Sequence, residues 1–417
     1  MKIWILNHYA GSLEYGMEFR HYYFARELKK AGHDVTIIAG SYSHLRKYNP
    51  EVESYLEEEN GGIKFVFVKT RNYEGNGKAR ALSMIDFYRN SLKVLKKFDG
   101  PDVIISSSPH PFACLAAIKL AKLKKCKCIS EVRDLWPEAF VYYKGISESS
   151  PLVKALELIE HKIYKRSDAM IFTKPGDTDY LKEKKWMKST GGDVDDDKCY
   201  YINNGVDLEA FLSQMTDCKC DKIEESDKRF AVTYVGTIRE VNNIDMLLDA
   251  AKALKENKDI VFRIFGDGEE LSRLEKRKED EKLDNVEFFG RIEKQFVPYI
   301  LSRSSVNILN YSPTLYNWTR GNSSNKLFEY MACAKPIIST VKMGYSPIEK
   351  YNCGIEIDCC DGEKLADAIS GLFGSGSETL EALSRNASAA AKDFDYKKLS
   401  KDLINVINKT IGAKENG

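Results

Sequence analysis

Short apolar runs alternate with longer segments of helical spacing, and the alternation starts again past the middle of the chain. "KIWILN" precedes "FRHYYFARELKKAGH", where Phe19, Tyr23, Ala25 and Leu28 recur at helical spacing before Gly32. "DVTIIAG", "DVIISS", "KCISEV" and "DAMIFT" follow as further strands, with "PFACLAAIKLAKLKK" as a helix among them. Strands separated by helices require crossover connections, and these build a parallel sheet with right-handed turns. After the polar loop "WMKSTGGDVDDDKC" and the join near 205–225, the pattern resumes with "FAVTYVGT", "NIDMLLDAAKALKEN", "IVFRIFGDG", "EELSRLEKRKEDEKL" and "VEFFGRI". "SSVNILN", "KLFEYMACAK", "PIISTV" and "GIEID" complete the second half. The expected architecture is therefore α/β, with two Rossmann-like parallel-sheet domains facing a ligand cleft. The reading gives a first domain over 1–205, a second over 206–395, and a C-terminal helix over 396–417 that packs back on the first.

Composition narrows the class. The chain has 417 residues, 43% apolar and 30% charged, which provides for two ordinary cores. A net charge of +1 leaves no strong field for nucleic acid. The first 200 residues carry 33 Lys and Arg against 27 Asp and Glu, a modest basic bias that suits an anionic partner or a solvated face. No apolar run is long enough to span a bilayer, and "MKIWILNHYAG" reads as a first strand rather than a signal peptide. We therefore expect a cytoplasmic protein. The ten cysteines show C-x-C and adjacent spacings (Cys126 and Cys128, Cys218 and Cys220, Cys359 and Cys360) but no paired C-x-x-C. They read as thiols, not as a disulfide framework or metal site.

Ligands of open parallel sheets bind beyond the carboxyl ends of the strands, so the residues just after each strand are the candidates. After the first strand, Gly11 and Gly16 permit close backbone approach, and Arg20 falls in the first helical turn, where anions are favoured. The spacing is not G-x-G-x-x-G, which sets a dinucleotide reading aside. His110 sits between two prolines in "SPHPF", held stiffly where it can meet a sugar hydroxyl or developing charge. In "EVRDLWPEAF", Arg133 and Asp134 either pair with each other or handle an acceptor, and Trp136 offers a flat face to a sugar or to the core. The second half supplies Gly236 and Arg239 in "VGTIREVNN", Gly266 and Gly268 in "FGDGEE", and Gly290 and Arg291 in "FGRIEKQF".

The stretch "GNSSNKLFEYMACAKPII" concentrates the most chemistry. A helix beginning near Ser324 aims its first N–H groups at whatever lies before Ser323, Ser324 and Asn325, and Lys326 adds a full charge. A diphosphate fits that arrangement. Glu329 shares a helix face with Lys326. It is either that lysine's ion-pair partner or the acceptor of two ribose hydroxyls.

Taken in order, "RDLWPE", "NNGVDLEAF", "YVGTI", "FGDGEE", "VEFFGRI" and "NKLFEYMACAKPII" resemble retaining glycosyltransferases of the GT-B fold (group 1 and family 4 type), over nearly the whole chain. Within them the chain looks like the polysaccharide branch that includes N-acetylfucosaminyl transferases. The resemblance implies a nucleotide-sugar donor, UDP-linked by preference, on the second domain. Gly11, Gly236, Gly266, Arg291, Ser323, Ser324, Asn325 and Glu329 would bind it. His110, Arg239 and Lys326 would be catalytic. It implies a saccharide or polyprenyl-diphosphate-linked acceptor on the first domain, met by Arg20, Arg133 and Asp134, and neither metal nor cofactor. Glu329 matches the second acid of the family's Glu, seven residues, Glu motif, but Gly321 stands where the first acid belongs. N–H groups around Asn322–Ser324 are the expected replacement. The family's second-domain lysine after the arginine is absent from "REVNNID", and Lys326 is the expected substitute. The segment "KTRNYEGNGKARALSMIDFYRNSLKVLKKF" would give a peripheral contact with the cytoplasmic membrane face, or else form a charged loop and a core-facing helix. Two alternatives share the two-domain shape: a sugar-nucleotide 2-epimerase, and a non-catalytic protein that binds nucleotide sugar or glycan.

Overall fold

The computed structural model describes residues 1–358 and 361–412, so Cys359 and Cys360 lie outside the described residues. The chain divides into two compact units, residues 1–203 with the C-terminal stretch from Tyr396, and residues 204–395.

The first unit carries β1 (Lys2–Leu6), α1 (Arg20–Lys30), β2 (Asp34–Gly40), β3 (Tyr55–Asn60), β4 (Ile63–Val68), α2 (Lys78–Leu95), β5 (Val103–Ser107) and α3 (Pro111–Lys124). It continues with β6 (Lys127–Val132), α4 (Trp136–Lys144), α5 (Pro151–Arg166), β7 (Ala169–Phe172), α6 (Asp177–Glu183) and β8 (Cys199–Tyr201). The strand order is β3-β4-β2-β1-β5-β6-β7-β8. One pairing departs from the expected parallel sheet: β3 runs antiparallel to β4. Gly61 and Gly62 both have positive φ (55° and 77°), which closes a two-residue hairpin whose twist matches its strands. β3 is "YLEEEN", too charged to read as a strand, and it can lie at the sheet edge because one side faces water.

The inward face of α1 is also shifted from the expected one. Phe24, Ala25 and Leu28 are buried, but so are Arg20 and His21, while Phe19 and Tyr23 are only partly covered. The C-terminal helix, Tyr396–Ile411, joins the core beside Phe24 and Leu28 through Tyr396, Leu399, Leu403 and Ile407. Each such side chain contributes about 1.5–3 kcal/mol by leaving water. In α2, Met84, Phe87, Val94 and Leu95 are buried. Its apolar face is therefore the core-facing alternative, not a face left open to lipid.

The second unit begins with α7 (Leu208–Asp217), β9 (Phe230–Val235), α8 (Asp245–Ala253), β10 (Ile260–Phe265), α9 (Leu271–Asp280), β11 (Val286–Gly290) and α10 (Val297–Ser302). It continues with β12 (Val306–Leu309), α11 (Asn325–Ala332), β13 (Ile337–Ser339), α12 (Pro347–Tyr351), β14 (Gly354–Glu356), α13 (Gly362–Gly374) and α14 (Gly376–Asp393). The sheet order is β11-β10-β9-β12-β13-β14, parallel throughout. In both sheets the order reverses beside the unit's first strand, between β1 and β5 and between β9 and β12. Such reversals open a crevice at the strands' carboxyl ends. Among the described residues no helix is long and apolar enough to cross a membrane.

Candidate functional site

The reversal between β9 and β12 organises the second unit's site. Lys326, in the first turn of α11, reaches back over the end of β9. Its Nζ donates to Tyr234 Oη (3.1 Å) and Asn242 Oδ1 (3.3 Å) and stands over the Tyr234 and Tyr311 rings, 4.7 and 5.0 Å from their centroids. Gly236 makes this reach possible. A Cβ there would come within 2.9 Å of Tyr234 Oη and 3.0 Å of Lys326 Nζ. Burial, and then the charge of neighbouring Arg239, push the Lys326 amine down to about 7. The Arg239 side chain is exposed and forms no hydrogen bond or ion pair among the described residues. Two basic groups with no carboxylate ion-pair partner among the described residues therefore stand at the crevice, and an anion there would hold the Lys326 amine in its charged form. Asn310 steadies the wall by donating to the carbonyls of Asn242 and Asn243 (2.7 and 2.6 Å).

Around them, Ser324 caps α11 in extended conformation and Asn325 is exposed at the first helical position. The Ser323 carbonyl accepts from Asn204 Nδ2 at 2.5 Å. The Ser324 N–H is already taken by Asn322 Oδ1 (2.7 Å), so it is not the open replacement for a missing acid that was expected. Gly321 explains why the acid is missing. It has φ 100° and ψ −168°, a region open to glycine and closed to glutamate without strain.

Glu329 lies one turn further along α11, and its partner is neither expected one alone. Lys326 turns away to Tyr234, and Lys294, from the short turn after β11, pairs with Glu329 Oε1. The Lys294 side chain is 58% exposed, so this pair can open at little cost. Arg291 is exposed, with no side-chain partner among the described residues. Gly266 differs from its expected role. A Cβ there would sit 1.8 Å from the Gly236 carbonyl oxygen, so it serves the close passage of neighbouring strand ends.

In the first unit, His110 stands at the β1–β5 reversal, at the start of α3 and wholly buried. It shares a hydrogen with His8 (Nε2 to Nδ1, 2.8 Å), while His110 Nδ1 and His8 Nε2 have no partner among the described residues. Burial holds His110 down at about 3 and His8 well below the usual imidazole range. Both imidazoles are neutral.

The expected acceptor residues take other roles. Arg20 is buried, donating from Nε to Glu131 Oε2 (2.8 Å) and from Nη2 to the Ile202 carbonyl (2.9 Å). The correction is clear: it ties α1 to β6 and to the end of β8. Asn7 accepts the Tyr9 N–H at its oxygen, so its amide nitrogen donates to His21 Nδ1, and His21 Nε2 donates to Glu131 (2.9 Å). Burial alone would raise Glu131, but Arg20 and His21 hold it well below the usual carboxylate range. Arg133 pairs with Glu18 instead of Asp134. Asp134 is exposed, 4.0 Å from Lys174 Nζ. Trp136 and Asp134 line a cavity of about 20 Å³, room for one water and not for a sugar ring. Gly11 serves close backbone packing, since a Cβ would meet the Gly16 and Met17 carbonyl oxygens at 2.1 and 2.0 Å. No group of three metal-ligating side chains occurs among the described residues.

Sequence reasoning missed Tyr234, Asn242, Tyr311 and Lys294. Nothing local marks them, because each partner lies 15–92 residues away.

The two units correspond to two family models. Residues 15–210 match Glycosyltransferase Family 4, and residues 219–390 match Glycosyl transferases group 1. Each unit thus matches a domain model named for glycosyltransferases, and the architecture is the GT-B fold. It is similar to TuaH of Bacillus subtilis (strain 168), named for teichuronic acid biosynthesis, at 24% identity over 56% of this chain and 55% of that protein. It is similar to an uncharacterised glycosyltransferase of Methanocaldococcus jannaschii at 24% identity over 51% of this chain and 54% of the relative. The matches thus span about half the length of these curated relatives. Among solved structures, sucrose-phosphate synthase of Thermosynechococcus elongatus superposes with a TM-score of 0.73 at 16% identity, covering 99% of this chain and 100% of that one. Anabaena HepE in complex with UDP-glucose superposes with a TM-score of 0.67 at 12% identity over 98% and 100%. At these identities the likeness fixes the fold.

Proposed function

We propose that this chain is a retaining glycosyltransferase of surface-polysaccharide biosynthesis. It takes a sugar from a UDP-linked donor on the second unit and gives it to a saccharide or lipid-linked saccharide acceptor on the first. The observation that carries the donor half is the basic pair Lys326 and Arg239 at the β9–β12 crevice, with Glu329 one helical turn away. The names of TuaH and the nucleotide complexes of HepE support the same reading.

In this reading Lys326, Arg239 and the first N–H groups of α11 hold the diphosphate. Glu329 exchanges Lys294 for the ribose hydroxyls. Arg291 lies on the base side. Negative charge builds on the leaving diphosphate as the glycosidic bond breaks, and the two cations meet it without a metal ion. The acceptor hydroxyl attacks from the face the leaving group vacates, and the departing phosphate oxygen takes its proton. His110 is the neutral hydrogen-bonding group placed for the transferred sugar. A thermal-shift series with UDP, GDP, ADP, TDP and their sugar conjugates tests the donor half. A ligand at a hundred times its Kd stabilises by about 2.7 kcal/mol. UDP should shift wild type, and the shift should shrink in Glu329→Ala, which loses about ten- to a hundredfold in affinity. No shift with any nucleotide refutes the reading. Isomerisation of donor without acceptor would mark an epimerase instead, and binding with neither transfer nor donor hydrolysis a non-catalytic protein.

A further inference from the structure

The β1–β5 reversal of the first unit holds a cluster that the donor chemistry does not use. Arg80, rising from the first turns of α2, has its Cζ 5.5 Å from the Tyr9 ring centroid and 5.9 Å from that of Tyr73. Its Nη1 donates to Asn76 and its Nε reaches Tyr9 Oη at 3.5 Å, while Nη2 has no partner among the described residues. Tyr73 Oη and His44 Nδ1 share a hydrogen at 2.7 Å, and the Tyr9 ring meets His44 and His110 edge-on at 5.6 and 5.8 Å. Arg46, just beneath, is consumed by the carbonyls of Ala10 and Gly40. No carboxylate forms an ion pair with Arg80, Arg46, His44 or His110 among the described residues. The positive charge of Arg80 is felt by His8, His44 and His110 alike. The wholly buried His110 Nδ1, at the same crevice, lacks a partner among the described residues.

We infer that Tyr9, Tyr73, His44 and Arg80 form an acceptor subsite for a negatively charged group, a carboxylate or phosphate carried by the acceptor saccharide or its lipid. The buried Tyr9 and Tyr73 rings hold the guanidinium in place, and its Nη2 is left to meet the anion. A neutral acceptor would leave Arg80 without a counter-charge. This rests on the proposed acceptor role of the first unit and adds the acceptor's chemical class.

Isothermal titration tests it in an Arg239→Gln, Lys326→Gln background, which removes the second unit's cations and makes the result independent of nucleotide. UDP binding is measured separately on wild type, so the donor reading can fail alone. The probes are methyl glucuronide, farnesyl diphosphate and, as the uncharged control, methyl glucoside. The glucuronide or the diphosphate should bind, more weakly as salt rises, and whichever responds identifies the anion as a sugar carboxylate or a lipid diphosphate. Arg80→Gln should lose about ten- to a hundredfold, the range for a charged hydrogen bond. Arg80→Lys should recover part of it. Tyr73→Phe, which keeps the ring, should lose less. The inference is overturned if neither anion binds, if methyl glucoside binds as well as they do, or if Arg80→Gln binds like the parent.

Discussion

Raising the pH from 6 to 9 should weaken the binding of UDP about a hundredfold, and Lys326 sets that figure. Burial and Arg239 put its amine at about 7 in the free protein, against an ordinary 10.5. A bound diphosphate stabilises the ammonium and returns it toward the ordinary value. Between those limits, binding takes up one proton, and affinity falls about tenfold for each pH unit above 7. At pH 9 the loss is about a hundredfold, or ~2.7 kcal/mol. The terminal phosphate of UDP finishes ionising near pH 6–7 and works in the opposite direction there. The decline above 7 therefore belongs to the lysine. Titration calorimetry in two buffers of different ionisation enthalpy should count about one proton taken up at pH 8.5. Lys326→Arg, charged throughout, should bind with a flat profile. Stability of the free protein should move the other way. The folded amine is depressed, so between about 7 and 10.5 the unfolded chain binds more protons and stability rises with pH. A dissociation constant that stays level from pH 7 to 9 in wild type, with no proton uptake, would refute the assignment of Lys326 to the diphosphate.

Gly236→Ala should weaken UDP binding by more than it lowers the melting temperature, since the new methyl crowds the Tyr234 hydroxyl (2.9 Å) and the Lys326 amine (3.0 Å) that it hydrogen-bonds. Calorimetry beside a melting curve separates the two effects. Gly321→Glu should not restore a missing acid. It should cost about 1–3 kcal/mol of stability from its positive φ, seen in denaturant unfolding. Glu131→Ala leaves Arg20 buried without its carboxylate and should cost about 3–5 kcal/mol. In wild type that pair's contribution is complete above the ordinary carboxylate range. It is lost as pH falls through the depressed value, so acid unfolding of the variant should be the shallower.

Much of this protein was readable along the chain. Alternating apolar runs and helical spacing reflect burial of a strand's faces and a helix's stripe, and those are local properties. The places of Gly236, Lys326 and Glu329 were legible for the same reason: each falls just after a strand or in the first turns of a helix, at the carboxyl edge of the sheet. What the chain could not disclose is which side chains meet from afar. Arg20 looked like a surface cation in a ligand loop, and Glu131, 111 residues away, makes it a buried tie. "YLEEEN" carries no strand signal of its own, and the hairpin at Gly61 and Gly62 places it on a sheet edge. Glu329 had two possible partners in sequence, and the turn after β11 supplied a third, Lys294. Gly321 looked like a lost acid, and its backbone angles show a position that glycine must occupy. Spacing along one helix or strand is set by its own hydrogen bonds, whereas burial, pairing and the displaced amine of Lys326 are set by neighbours that only the folded sheet brings within a few ångströms.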